Sequence, residues 1–258
     1  MLTNIFDTHA HYDDEAFDAD RDEVLSKVLP EGGVTRVVDC AVDLLTSVKV
    51  LELSKQYDYL YAALGIHPEQ AGEERKGDLE MIADLLQKED KAVAVGEIGL
   101  DYYWEENAPR ETQVDLFERQ LALSKDLGLP VIIHDREAHG DTMDALRKYR
   151  PSGVLHCFSG SVEMMKEATA LGLYIGLGGV VTFKNARKAV EVAAEVPLDK
   201  LLFETDAPYM APVPYRGKRN DSTYIAFVAE RIAEVRGMDA QELIDICHEN
   251  GKRLFLMD

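Results

Sequence analysis

Four of the seven histidines in this chain end short apolar runs or lie just beyond them: Asp7-Thr8-His9-Ala10-His11, Val131-Ile132-Ile133-His134 and Val154-Leu155-His156. Two carboxylates share that placement. Glu97 follows Ala92-Val93-Ala94-Val95-Gly96, and Asp206 follows Leu201-Leu202-Phe203-Glu204-Thr205. The distribution reads as a metal site assembled from several strand ends. Residues two apart in an extended segment face the same side, so His9 and His11 can grip one ion. Imidazole nitrogens and carboxylate oxygens suit Zn²⁺, Mn²⁺, Fe²⁺, Co²⁺ or Ni²⁺, with Mg²⁺ less at home where histidine dominates. Taken alone, His-x-His also fits a pair of hydrogen-bonded turn residues, and a lone histidine after Ile132-Ile133 fits a structural residue.

Glu97 falls between the two histidine pairs in strand order. Its two oxygens suit bridging an ion held by His9 and His11 to a second held by His134 and His156. As a purely structural buried acid it would cost several kcal/mol of desolvation without a partner. Asp206 is placed to complete the first ion's coordination and to accept a proton from water, which makes Asp206 and Glu97 the catalytic candidates. Glu204 has the same parity as Asp206 and is expected deeper in the fold as support. Asp7 is expected to orient an imidazole or a water network. His67, in Gly65-Ile66-His67-Pro68, can reach a substrate phosphate or a neighbouring ligand, or simply hold its loop. His139 and His248 fall in or beside helical segments, away from any strand end.

These groups need a scaffold that converges strand ends. Apolar runs near 4–9, 34–39, 60–65, 92–97, 130–134, 153–157, 173–177 and 201–206 alternate with helical patterns. The helical period is clearest at Leu79, Ile82, Ala83 and Leu86, at Val114, Phe117 and Leu121, and at Ile225, Val228, Ala229 and Ile232, before a final pair near 240–257. Eight β-then-α units predict a single (β/α)8 TIM barrel of α/β class over residues 1–258. A doubly wound open sheet is the competing fold. In either, reactive groups lie beyond the carboxyl ends of the strands, but the barrel brings ends one, four, five, six and eight to one mouth.

The 258 residues suffice for one large domain, and no Pro-, Gly- or Ser-rich stretch reads as a linker. A strand starting by about residue 4 leaves no room for a signal peptide, and no apolar run approaches the ~18 residues a membrane span needs. A cytoplasmic protein without membrane association is expected. Cys40, Cys157 and Cys247 read as reduced, packed thiols. With 48 acidic and 28 basic residues the net charge is −20, which disfavours sequence-independent nucleic-acid binding in bulk. It leaves room for an enzyme that draws a few phosphates into a pocket of divalent cations. Arg216, Lys218 and Arg219 form the densest basic patch, and Arg136 follows His134 by two residues. Guanidinium groups pair well with phosphate, so both features tip the substrate toward an anion. Tyr102, Tyr103 and Trp104 can stack on a base, wall the pocket or anchor the loop.

Two ions about 3.5–4 Å apart can activate water and stabilise a leaving oxygen. The chain has no Walker-type phosphate loop, no Cys-x-x-Cys and no convincing Ser-His-Asp set, so water is the expected nucleophile. The residues themselves support a hydrolase with one or two metals and do not separate phosphoester from amide.

Six motifs in order resemble the TatD-type metal-dependent deoxyribonucleases of the amidohydrolase-like barrels. They are Phe6-Asp7-Thr8-His9-Ala10-His11, Gly65-Ile66-His67-Pro68, Gly96-Glu97-Ile98-Gly99-Leu100-Asp101-Tyr102, Pro130-Val131-Ile132-Ile133-His134, His156-Cys157-Phe158-Ser159-Gly160 and Glu204-Thr205-Asp206-Ala207-Pro208-Tyr209. The resemblance spans residues 3–256. It implies a metal site of His9, His11, Glu97, His134, His156 and Asp206. It also implies hydrolysis of DNA phosphodiesters, often single-stranded and from the 3′ end, with Mg²⁺ or Mn²⁺. No obligate protein partner is evident, and a monomer is expected. The chain departs from the family pattern at Asp221-Ser222-Thr223, where an acidic residue and proline are usual. Two alternatives stand beside the nuclease: an amidase, lactonase or deaminase-like hydrolase, and a degenerate barrel acting as an interaction protein.

Overall fold

The computed structural model describes residues 1–257. Eight parallel strands follow one another in sequence order around a single sheet. They are β1 (Ile5–Ala10), β2 (Val34–Cys40), β3 (Leu60–Leu64), β4 (Ala92–Asp101), β5 (Val131–Arg136), β6 (Gly153–Leu155), β7 (Tyr174–Leu177) and β8 (Leu201–Phe203). The first and last strands meet just beyond β8. There the His11 N–H donates to the Ala207 carbonyl (2.7 Å), the Asp206 N–H donates to the His9 carbonyl (2.9 Å), and Ala10 bridges Ala207. The fold is a nearly closed (β/α)8 barrel.

Two buried apolar layers follow from strand alternation. One gathers Phe6, Val38, Cys40, Ala63, Ala94, Ile132, Val154 and Leu202 from successive strands and is joined by Leu254 and Phe255 from the chain's last turn. With Tyr174 of β7 the set draws on all eight strands, and a layer that packs on itself in this way is the barrel interior. The larger layer lies between strands and helices, where Val37, Val95, Ile133 and Leu201 meet Leu86, Phe117, Leu121, Val228 and Ile232. The helices carrying those residues are Asp78–Lys88, Arg110–Leu127 and Ile225–Arg236. Their ends obey local chemistry: Gly128 and Gly237 take left-handed conformations that stop the second and third. Where the sequence predicts a final pair of elements near 240–257, one continuous helix, Ala240–Leu254, is formed behind the Asp239 cap.

Strand limits differ from the sequence pattern where the site is built. β4 runs to Asp101, four residues beyond Glu97, through a register irregularity between Val95 and Ile98. Gly99 is required there. Its φ is +146°, and a Cβ would stand 2.0 Å from the His134 carbonyl oxygen. By contrast β6 and β8 stop at Leu155 and Phe203, so His156, Glu204 and Asp206 sit on turns above their strands. Asp206 has φ +59°, so a left-handed turn rather than strand alternation aims it. No helix among the described residues is long and apolar enough to cross a membrane.

Candidate functional site

Six side chains from five strand ends converge at the carboxyl end of the barrel. His9 Nε2 and His11 Nε2 stand 3.1 Å apart. Glu97 Oε2 is 3.3 and 3.5 Å from those nitrogens, and Asp206 Oδ1 is 3.6 and 3.5 Å from them. On the other side of the same carboxylate, Glu97 Oε1 is 2.9 Å from His134 Nδ1 and 2.7 Å from His156 Nε2. Glu97 therefore presents one oxygen to each histidine pair. His9 and His156 stack between the two halves, their ring centroids 3.9 Å apart.

Three of the four rings are held from behind. His11 Nδ1 meets the Cys40 carbonyl at 2.8 Å, which makes Nδ1 the protonated nitrogen and turns the Nε2 lone pair inward. His9 Nδ1 is 3.4 Å from Cys40 Sγ. His134 Nε2 meets Asp101 Oδ2 at 3.0 Å, leaving Nδ1 for Glu97. Asp101 was not among the sequence candidates. The two-residue alternation Glu97, Gly99, Asp101 was the available signal, hidden by the expectation that β4 ends at Glu97.

The electrostatics are those of a self-crowded polar cluster. Burial alone would raise the Glu97 carboxyl, yet His156, His9, His67 and His134 hold it well below its ordinary range. Asp206 is likewise lowered against its burial by His11, His9 and His156. Burial depresses His11 and His134, but carboxylates outweigh it: Asp206 and Glu97 push His11 up to about 10, and Asp101 and Glu97 push His134 up to about 10. His9, buried and facing His156, falls to about 4. The His9 and His11 Nε2 atoms lie 3.1 Å apart, and each lies within 3.6 Å of Glu97 Oε2 and of Asp206 Oδ1, a crowding that protons or a cation between them relieve. Such nitrogen and oxygen donors fit a divalent transition ion. Three groups can hold one: His9, His11 and Asp206; His9, Glu97 and His156; His67, Glu97 and His134.

The remaining candidates are placed as follows. Glu204 is buried, accepts the Cys157 N–H with Oε1 and lies 3.9 Å from His156 Nδ1, while its Oε2 has no hydrogen-bond partner among the described residues. Burial pushes it up to about 8. His67 Nδ1 accepts the Glu69 N–H at 3.2 Å, capping the short turn Pro68–Gln70, and its Nε2 lies 3.5 Å from Glu97 Oε1. Asp7 acts on the site through backbone N–H groups and hydroxyls. Its oxygens accept the His9 and Thr205 N–H groups (3.2 and 3.0 Å) and the Thr205 and Ser222 hydroxyls (2.5 and 2.7 Å). It thus fixes the backbones that carry His9 and Asp206. Ser222, the departure from the family pattern, also bonds the Tyr12 hydroxyl at 2.7 Å, a contact proline could not make. Arg219 already has a partner. It is spent on Asp20, bidentate at 2.6 and 2.7 Å, and pins its loop to the segment after β1. Arg216 and Lys218 of the same loop remain exposed, beside the rings of Phe183 and Tyr215. The Arg136 guanidinium lies 3.9 Å from the Tyr103 ring centroid.

This geometry agrees with what the chain is similar to. The family model described as TatD related DNase matches residues 6–256. The chain is 43% identical to YabD of Bacillus subtilis (strain 168), an uncharacterized metal-dependent hydrolase, over 97% of this chain and 98% of that one. It is 34% identical to the 3'-5' ssDNA/RNA exonuclease TatD of Erwinia tasmaniensis, over 97% and 99% of the two chains. The crystal structure of YjjV, a TatD homologue from Escherichia coli K12, superposes with a TM-score of 0.93 at 35% identity, covering all of both chains. With its strand-end histidines and carboxylates in one cluster, this chain belongs to the TatD-related DNase family and is a metal-dependent hydrolase.

Proposed function

We propose that the chain hydrolyses phosphodiester bonds of single-stranded DNA, releasing nucleotides from the 3′ end, with two divalent ions shared across Glu97. The observation that carries this reading is the division of Glu97: Oε2 faces His9 and His11, the pair that Asp206 Oδ1 also faces, and Oε1 faces His134 and His156. That arrangement suits a two-ion centre of Mg²⁺ or Mn²⁺ in activity, with Zn²⁺, Fe²⁺, Co²⁺ or Ni²⁺ compatible with the imidazoles. Divalent ions held there supply Lewis acidity toward a phosphoryl oxygen and make water a competent nucleophile near neutral pH.

The chain's own groups do the rest. Asp206 is the carboxylate of the cluster more open to water, its side chain 21% exposed against 4% for Glu97, so it takes the proton from the attacking water at a carboxylate oxygen. Asp7 holds the His9 and Thr205 backbones, and Asp101 holds the His134 ring. Arg136, Arg216 and Lys218 offer cations near an otherwise acidic surface, which favours an anionic chain over a neutral amide or lactone. The name of the Erwinia relative supports the strand and the polarity.

The test uses the purified protein on 5′- and 3′-labelled single-stranded oligonucleotides, after chelation and after return of Mn²⁺ or Mg²⁺. Stepwise loss of the 3′ label only with metal supports the reading. Turnover of cyclic amides or esters with intact oligonucleotides would replace it.

A further inference from the structure

Beyond β4 an aromatic pair stands in solvent beside the metal cluster. Tyr103 is 52% and Trp104 41% exposed, although burying such rings is worth kilocalories. They are not loosely held. The Tyr103 N–H donates to Asp101 Oδ1 at 2.9 Å, the same carboxylate whose other oxygen holds His134. Asn107 closes the loop, donating its side-chain amide to the Asp101 carbonyl (3.2 Å) and its N–H to the Trp104 carbonyl (3.3 Å). The rings meet nearly edge to face, 4.7 Å apart at 85°. Arg136, from the end of β5, lays its guanidinium 3.9 Å from the Tyr103 centroid and 5.1 Å from that of Trp104. Register pairs Asp101 with Arg136, so the group rises directly above the strands that carry Glu97 and His134.

We propose that Tyr103, Trp104 and Arg136 form a stacking platform for a nucleobase, seating the base of the nucleotide whose phosphate lies at the metal cluster. An exposed, pre-positioned π surface flanked by a guanidinium is what an unpaired base stacks on, irrespective of its identity. A duplex keeps its bases stacked on each other and cannot offer one. The platform therefore selects single strands by stacking, where phosphate contacts alone would accept either form. This deepens the nuclease reading and rests on it.

Trp104 is the chain's only tryptophan, so its emission reports on the platform alone. The probe is a phosphorothioate oligothymidylate that resists cleavage, titrated into the metal-loaded protein beside an abasic oligomer of the same length. The platform requires saturable quenching by the base-bearing oligomer and little by the abasic one. In kinetics, kcat/KM for cleavable oligothymidylate exceeds that for its abasic counterpart about 5-fold or more, the lower edge of base–aromatic stacking. Trp104→Leu and Tyr103→Ala bring that ratio toward one, through KM. A loop that is merely structural would lower both substrates together and leave the ratio, and that result overturns the proposal, as does equal quenching by both oligomers. Base-dependent quenching without hydrolysis would uphold the platform while removing the nuclease reading, so the two failures are told apart.

Discussion

The substitution Asp101→Asn isolates one contact in the site. The Asp101 carboxylate is fully buried, accepts the Tyr103 N–H at 2.9 Å and holds His134 Nε2 at 3.0 Å. Asparagine keeps the shape: its oxygen can still accept from Tyr103 while its amide meets His134. An amide, however, donates where the carboxylate accepted. His134 Nε2 must then act as acceptor, which moves the ring proton to Nδ1 and turns an N–H toward Glu97 Oε1 in place of a lone pair. Loss of such a carboxylate behind a ligating histidine costs about 10- to 100-fold in metal affinity, or about 1.4–2.7 kcal/mol. That loss should fall on the His134 and His156 half only, because His9 and His11 are held by Cys40 and the backbone. Equilibrium titration of the chelated protein with Mn²⁺ is the assay: two affinities in the parent, with one weakened about 10- to 100-fold in the variant and the other retained. Unchanged affinities, or equal weakening of both, would refute the tautomer argument.

Other outcomes follow from particular contacts. Ser222→Ala removes the hydroxyl between Asp7 and Tyr12, all three fully buried. A lost hydrogen bond to a buried carboxylate costs about 1.5–3 kcal/mol, so thermal melting should fall by about 3–12 °C; an unchanged Tm would make that network idle. Gly99→Ala drives a methyl into the His134 carbonyl and should lower stability by at least about 3 kcal/mol in urea unfolding, whereas a neutral result would mean the strands can separate freely. Asp20 is held below its ordinary value mainly by the Arg219 hydrogen bonds. The pair is therefore intact above the usual carboxylate pKa and released as pH falls through the depressed one. Protection against hydrogen exchange in residues 209–220, taken relative to the intrinsic rate at each pH, should fall on acidification, and Asp20→Asn should lower it already at neutral pH; protection identical in the variant would show the loop is held elsewhere.

Most of the barrel was legible because its strands are short apolar runs between helical patterns, a local signal. The converging set was legible for the same reason, since each ligand candidate ends such a run. What the sequence concealed depends on neighbours far along the chain. The partner of Arg219 lies 199 positions away, so a basic cluster of three reads as substrate contact until Asp20 claims one member. Asp101 was hidden because Gly99 carries β4 past the point where its apolar run ends. The spacing of Asp7 to His9 reads as an orienter of an imidazole or of a water network, and only barrel closure reveals Thr205 and Ser222 as its partners.

The central claim is that Glu97 joins two cation positions. Anomalous diffraction from crystals grown with Mn²⁺ tests it most directly. The account predicts two peaks about 3.5–4 Å apart, one among His9, His11 and Asp206 and one between His134 and His156, with a Glu97 oxygen on each. A single peak held without Glu97, or none at saturating Mn²⁺, would contradict it.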